Sequence, residues 1–295
     1  PALSTLLDPE LMARLDQLEV LTHKVFRGRM KGERRSRKKG QSVEFADYRE
    51  YVPGDDTRFL DWNVYGRLER LYLKLFLEEE DLAFYVIVDT SASMNFGEKV
   101  TKFDYARKLA AALAYTALIN HDKVGVADAK DGLASAFRPA RGKGQLPKVL
   151  NYLMGLEPSD RTNLMESCRD FVLQHKQPGI VVLLSDFLDE RGYEDALKQF
   201  FLRSYDVYAI QVLAPEEREP KVLGHLELID AESGERQEVT ASEGLLKQYK
   251  ATVEKFCGGL RDWCTSRGMT YLAATTDLPV ETFLMQHLRA RGLLR

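Results

Sequence analysis

The sequence contains few cysteines and histidines. Three cysteines and five histidines occur in 295 residues, and they form neither a CxxC motif nor a zinc-binding pattern. A disulfide framework and a cysteine–histidine zinc site are therefore not expected. We expect Cys168, Cys257 and Cys264 to be reduced packing residues, as in a cytoplasmic protein.

Long hydrophobic runs are also absent from the sequence. The longest strongly apolar stretch of a predicted helix spans residues 109–119, whereas a membrane-spanning helix needs about 20 residues. The N-terminal residues have no basic start followed by an apolar run, so no signal peptide is expected. With 44% hydrophobic and 29% charged residues, the chain has the composition of an ordinary globular protein with a hydrophobic core.

Positive charge is concentrated in one segment. Residues 24–39 include nine Lys or Arg and one acid, Glu33, although the whole chain has a net charge of −3. The nine basic residues are Lys24, Arg27, Arg29, Lys31, Arg34, Arg35, Arg37, Lys38 and Lys39. Such a segment is a solvated loop, a contact for an anionic membrane or an acidic protein, or a nucleic-acid site. It has few aromatic side chains to stack on bases, which disfavours nucleic acid.

The N-terminal part of the sequence predicts short, separate elements. Leucines at helical spacing predict a helix over residues 8–27. Alternating apolar residues predict strands at 42–51 and 71–77, with a short helix at 57–67 between them.

Beyond residue 82, strands and helices alternate. Two continuous apolar runs, at residues 84–88 and 180–184, are typical of strands that are buried on both faces. This alternation predicts a doubly wound α/β fold with a mostly parallel sheet. A polar excursion at 215–241 is predicted to form a surface hairpin. We therefore predict an N-terminal helix with the basic segment, a β-containing segment and an α/β domain, at residues 1–41, 42–82 and 83–295.

Polar residues follow both of these apolar strands. Asp89, Ser91 and Ser93 form an Asp-x-Ser-x-Ser motif after the first strand. Ser185-Asp186 ends the second strand, and Thr162 lies between them at the start of a predicted helix. In doubly wound folds, the loops at the carboxyl ends of the strands line the binding crevice. Carboxylate and hydroxyl oxygens of low total charge suit Mg²⁺ or Mn²⁺, although Asp and Ser also cap helices in such loops.

This motif resembles the metal-ion-dependent adhesion site of von Willebrand factor type A domains. The residues that carry the resemblance are Asp89, Ser91, Ser93, Thr162 and Asp186. The resemblance implies that the two serines bind the cation directly, and that Thr162 and Asp186 do so directly or through water. Arg161 departs from the pattern, in which a small residue commonly precedes the threonine.

A second resemblance lies upstream of the motif. Segments 42–45, 49–58 and 61–62 resemble the signature of the family called domain of unknown function 58, in which this signature precedes a von Willebrand factor type A domain. The family resemblance implies that the partner is a MoxR-type AAA+ ATPase or a substrate of one. The same segment can instead be a scaffold, with Asp55 or Asp56 capping the helix that follows.

These observations favour a non-enzymatic protein-interaction module, in which Mg²⁺ or Mn²⁺ binds a carboxylate of a partner. One alternative is a magnesium-dependent phosphohydrolase with Asp89 as its nucleophile. That chemistry needs an acid two residues later, where Ser91 has no usable pKa for proton transfer. The other alternative is an electrostatic anchor to a membrane or nucleic acid through residues 24–39, in a cytoplasmic protein that can associate with membranes.

Overall fold

A computed structural model describes residues 6–20, 23–25, 43–55, 57–81, 83–130, 136–158, 163–175, 179–189, 191–201, 205–220, 224–229, 231 and 234–295. The chain forms two compact units, of which the larger comprises residues 1–22 with 82–295 and the smaller comprises residues 23–81. Most of the basic segment lies outside the described residues. The predicted division into three segments stays a prediction.

The helices and strands have the following bounds. The strands are β1 His23–Val25, β2 Val43–Glu50, β3 Tyr72–Asp81, β4 Ala83–Asp89, β5 Lys123–Ala129, β6 Ala136–Arg141, β7 Gly179–Ser185, β8 Asp206–Leu213, β9 Gly224–Ile229, β10 Arg236–Ala241 and β11 Thr270–Thr275. The helices are α1 Pro9–Leu15, α2 Trp62–Leu68, α3 Lys102–Ile119, α4 Leu146–Met154, α5 Leu164–Gln174, α6 Glu194–Phe201, α7 Pro215–Arg218, α8 Glu243–Ser266 and α9 Val280–Thr282. Short 3₁₀ segments at Thr57–Phe59, Ala92–Asn95 and Lys143–Gln145, and a π-helix at Phe283–Leu288, complete the described secondary structure.

The larger unit is built on a six-stranded sheet with the order β11-β8-β7-β4-β5-β6. Its strands pair in parallel, except that the edge strand β6 is antiparallel to β5. Strands in the middle of such a sheet are covered on both faces, which is why their sequences are continuously apolar. The predicted doubly wound α/β fold is confirmed.

Alternate side chains of β4 enter two different cores. Val86 and Val88 belong to a core that includes buried residues of α1, α3 and α4. Tyr85 and Ile87 belong to a second core, on the opposite face of the sheet, that includes buried residues of α5 and α6. The chain therefore leaves β4 through α3 on one face and leaves β7 through α6 on the other. Because β4 and β7 are neighbours, the crevice between their carboxyl ends is the topological switch point of the sheet, the usual binding position in this class of fold.

The N-terminal helix is part of the larger unit. Asp8 caps α1 by accepting a hydrogen bond from the Leu11 N–H, and Leu15 is buried against the α3 side of the core. The helix ends at Leu15, so the predicted extent of 8–27 was too long. The chain instead turns and runs beside the C-terminus, where Val20 pairs with Leu294. The backbone of this later segment is satisfied by pairing rather than by helical turns.

The smaller unit is a three-stranded antiparallel sheet, in the order β1-β3-β2, with the helix α2. Asp61 caps α2, accepting hydrogen bonds from two backbone N–H groups of its first turn. Asp55 instead closes a turn and pairs with Arg49 at 2.8 Å. The capping role expected of Asp55 therefore belongs to Asp61, and Asp56 lies outside the described residues.

The C-terminal part contains two predicted elements, a surface hairpin and a final helix, and the structure confirms both. The excursion at 215–241 includes the predicted hairpin, formed by β9 and β10, after the short helix α7. The last predicted helix, over residues 279–290, is helical over residues 280–290, and its middle part, Phe283–Leu288, is a π-helix in which Phe283 is fully buried. Among the described residues, no helix is both long and apolar enough to cross a bilayer.

We expect Leu15→Ala to lower the free energy of unfolding by about 2–5 kcal/mol, because this side chain is 1% exposed and its loss leaves a cavity under α1. The exposed neighbour Gln17 provides the control, since Gln17→Ala should change stability by less than about 0.5 kcal/mol. Urea unfolding of the two variants measures the difference. Equal stabilities would contradict the packing of α1 on the larger unit.

Candidate metal centre

The register of β4 and β7 brings the two polar motifs together. Val88 of β4 pairs with Leu184 of β7, so the next residues, Asp89 and Ser185, emerge side by side at the carboxyl edge of the sheet. Their side chains are in contact, because the Ser185 hydroxyl donates a hydrogen bond of 2.5 Å to Asp89 Oδ2. The edge that the sequence predicted as the site is therefore a single cluster of polar groups.

Asp89 and the two serines of the motif form one part of this cluster. Asp89 is buried, and its Oδ1 accepts a hydrogen bond of 2.9 Å from the Ser91 N–H. Ser91 Oγ and Ser93 Oγ lie 3.1 Å apart and share a hydrogen bond. Ser93 is only half-buried, so the cluster is open towards solvent on this side.

Asp186 is buried, and neighbouring groups of the protein donate hydrogen bonds to it. Its Oδ1 accepts from the Leu188 N–H at 3.0 Å, and its Oδ2 accepts from Lys102 Nζ at 2.7 Å. Its backbone carbonyl accepts from the amide of Gln211 on β8. The second aspartate of the motif is therefore tied to α3, to β8 and to its own loop.

Lys102 is the first residue of α3, and its side chain is 0% exposed. Its ammonium contacts a second carboxylate, Glu217 of α7, at 2.5 Å. Glu217 is itself fixed by a hydrogen bond from the Ala214 N–H to its Oε2. A completely buried lysine is rare unless it is paired, and this one is paired twice.

Burial opposes the charge of Lys102 most strongly, but the carboxylates of Asp186 and Glu217 outweigh it and raise the pKa of the ammonium. Burial also raises the pKa of Glu217, against the lowering effect of Lys102. The ammonium is therefore protonated at neutral pH. It supplies a fixed positive charge beside Asp186.

Asp89 receives no such compensation. Burial, and then repulsion from Asp186, raise the pKa of Asp89 to about 7, although the hydrogen bonds from Ser185 and Ser91 lower it in part. No basic side chain among the described residues pairs with Asp89. A buried carboxylate without a cationic partner is costly, and it is a group that a metal cation would stabilise.

One of the five predicted ligands is not among the residues that the structure describes. Thr162 lies outside the described residues, as does Arg161. The next residue, Asn163, caps α5 through its side chain and donates its N–H to the carbonyl of Lys130 after β5. Asp189, from the loop after β7, accepts a hydrogen bond from the Leu164 N–H.

The donor set fits a hard cation. Adjacent oxygen ligands of an octahedral Mg²⁺ are about 3 Å apart, since each bond is about 2.0–2.1 Å long. The hydroxyls of Ser91 and Ser93 have this spacing, and each hydroxyl oxygen can still offer a lone pair. Among the described residues, no three His, Cys, Asp or Glu side chains form a metal-binding group. Asp89 and the two hydroxyls are oxygen donors, which suit Mg²⁺ or Mn²⁺ with several waters better than zinc.

Sequence reasoning missed Lys102 and Glu217 as parts of the site. Lys102 belongs to none of the sequence motifs, and Glu217 lies in the predicted surface excursion at 215–241. One signal was present for Lys102, because a lysine in the first turn is disfavoured by the helix dipole and needs a reason. Nothing in the sequence pointed to Glu217.

Comparison with known proteins agrees with the second sequence resemblance. The family model described as "Protein of unknown function DUF58" matches residues 47–255. The chain belongs to this family. Curated DUF58-like relatives include proteins of Mycobacterium bovis and Mycobacterium tuberculosis, each named an uncharacterized protein. Both are 29% identical over 247 residues, which is 82% of this chain and 77% of theirs.

Solved structures that are similar to this DUF58 chain are distant. The conserved hypothetical protein BatB of Bacteroides thetaiotaomicron has a TM-score of 0.42 and 16% identity, covering 71% of this chain and 98% of its own. The VWA domain of SpRpn10 has a TM-score of 0.40 and 12% identity, covering 70% of this chain and 94% of its own. Similarities this low carry no functional information for this chain.

We expect the cation-free protein to lose stability as the pH rises. The folded state holds the Asp89 proton up to a pH of about 7, whereas in the unfolded chain the carboxyl has its ordinary pKa of 3.8. Between these values the unfolded state is deprotonated first, so stability falls as the pH rises through this window. In the presence of chelator, the melting temperature of the wild type should fall between pH 5 and pH 8. This fall should exceed that of Asp89→Asn by at least about 3 °C. If the melting temperatures of the two proteins change with pH in parallel, the raised pKa assigned to Asp89 is refuted.

Proposed function

We propose that this protein is a non-enzymatic protein-interaction module whose binding site depends on a divalent cation. The observation that carries the proposal is Asp89, a buried carboxylate without a basic partner among the described residues, placed beside two suitably spaced hydroxyls. Asp89, Ser91 and Ser93 would hold Mg²⁺ or Mn²⁺, which supplies an electrophilic position for a carboxylate of the partner. Thr162 and Asp186 complete the proposed set as ligands or through water.

The surroundings of the site support binding of a protein. Phe96 follows the motif serines and is 48% exposed, and Leu188 follows Asp186 and is 45% exposed. Each residue lies in a loop that begins at one of the two motifs. Exposed apolar side chains beside a binding site offer apolar surface that a protein partner can cover.

The partner that the family resemblance favours is a MoxR-type AAA+ ATPase or a substrate of one. Residues 24–39 provide a second proposed contact, with an acidic protein or an anionic membrane surface, and nucleic acid is disfavoured. A cytoplasmic location with membrane association is compatible with both contacts. These assignments remain proposals about partners, and the cation site does not depend on them.

We expect Asp89→Ala to abolish Mg²⁺ and Mn²⁺ binding, because it removes the only carboxylate of the site that lacks a basic partner among the described residues. A Ser91→Ala and Ser93→Ala double variant should weaken binding at least about tenfold, since it removes two ligands. Calorimetric titration measures both effects. Asp262→Ala, an exposed aspartate on α8, is the control and should bind as the wild type does. Equal binding by Asp89→Ala and the control would remove Asp89 from the site.

The same variants separate a module from an enzyme. Extract passed over the immobilised protein should yield a partner with Mg²⁺ and not with chelator, and capture should fail with Asp89→Ala. Replacing one exposed Asp or Glu of that partner should abolish binding. A phosphoester panel, assayed with each cation and with Asp89→Asn as the blank, should show no turnover. Hydrolysis above the blank would favour the phosphohydrolase and contradict the proposal.

A further inference from the structure

The buried position of Lys102 is not explained by packing alone. A leucine or methionine would fill the same space without the cost of desolvating an ammonium, and buried ion pairs are often no more stable than such replacements. The positive end of the α3 dipole also opposes a lysine at the first helical residue. The ammonium is nevertheless 0% exposed, within 2.7 Å of Asp186 and 2.5 Å of Glu217.

The contacts of Lys102 determine what Asp186 can offer to a cation. One oxygen of Asp186 is bound to the ammonium, and the other accepts the Leu188 N–H. Both oxygens therefore already accept a hydrogen bond, and one of the two donors is a positive charge that repels a metal cation. Asp89 differs, because its hydrogen bonds come from uncharged groups of Ser185 and Ser91, and no positive charge touches it among the described residues.

Glu217 balances the charge that Lys102 brings. A divalent cation and the ammonium together carry three positive charges, and Asp89, Asp186 and Glu217 together carry three negative charges when ionised. The site is neutral as a whole with all five groups in place. Without Glu217, the cation would share the site with an unbalanced ammonium.

We propose that Lys102 is a positioning residue that keeps Asp186 from binding the cation directly and so keeps the affinity of the site low, while Glu217 compensates its charge. This inference rests on the proposed cation-binding function. A weakly bound cation gains most from an added carboxylate, so cation binding and partner binding would reinforce each other. Lys102 thereby makes the module respond to a partner and not to the cation alone.

The test is a calorimetric Mg²⁺ titration, at one pH, of the wild type, Glu217→Gln and the Lys102→Met/Glu217→Gln double variant. The double variant removes one positive and one negative charge, so its total charge equals that of the wild type. It frees Asp186 from the ammonium, and we expect affinity to rise about tenfold or more. Glu217→Gln keeps the lysine but loses its compensation, and we expect affinity to fall about tenfold. Lys108→Met, at a partly exposed lysine on the same helix, should leave affinity unchanged.

The outcomes distinguish this inference from the function on which it rests. If the wild type binds Mg²⁺ and the double variant binds it equally or more weakly, the role of Lys102 is overturned and the cation site stands. If neither the wild type nor any variant binds a divalent cation, the proposed function itself fails. A thermal melt in chelator establishes that each variant is folded. Should the double variant not fold, an unchanged affinity in Glu217→Gln still overturns the inference.

Discussion

The structure places two carboxylates, Asp89 and Asp186, next to each other in the interior, where like charges repel and hydration is lost. The two carboxylates are stabilised in different ways. Asp186 is held by a lysine from α3, which is in turn held by Glu217 of α7, whereas Asp89 has only hydrogen bonds. These contacts of Lys102 join the first residue of α3 to the loop after β7 and to α7.

Much of the fold was predictable because it follows from patterns that are local in the sequence. The continuous apolar runs of β4 and β7 indicate strands covered on both faces, and the parallel register then brings Asp89 and Ser185 together. The end of α1 was not predictable in this way. There the chain leaves the helix and pairs with a distant segment, since Val20 pairs with Leu294.

The candidate site likewise combines a local sequence motif with contacts between distant residues. Asp89, Ser91 and Ser93 are close in sequence and form a recognisable motif. Lys102 and Glu217 are 115 positions apart, and their contact exists only because α3 and α7 meet beside β7. A lysine in a sequence looks like a solvated residue, and only the tertiary structure shows that this one is buried. The pairing of Lys102 with Glu217, which sets the electrostatics of the site, therefore follows from the tertiary structure and not from the sequence.

Anomalous diffraction from crystals grown with Mn²⁺ locates the bound cation without reference to activity or partner. We expect one strong peak within bonding distance of the Ser91 and Ser93 hydroxyls and beside the Asp89 carboxylate. We also expect Lys102 to remain on Asp186 when the cation is bound. A crystal that contains Mn²⁺ elsewhere and none at this cluster would show that these residues do not form a cation site.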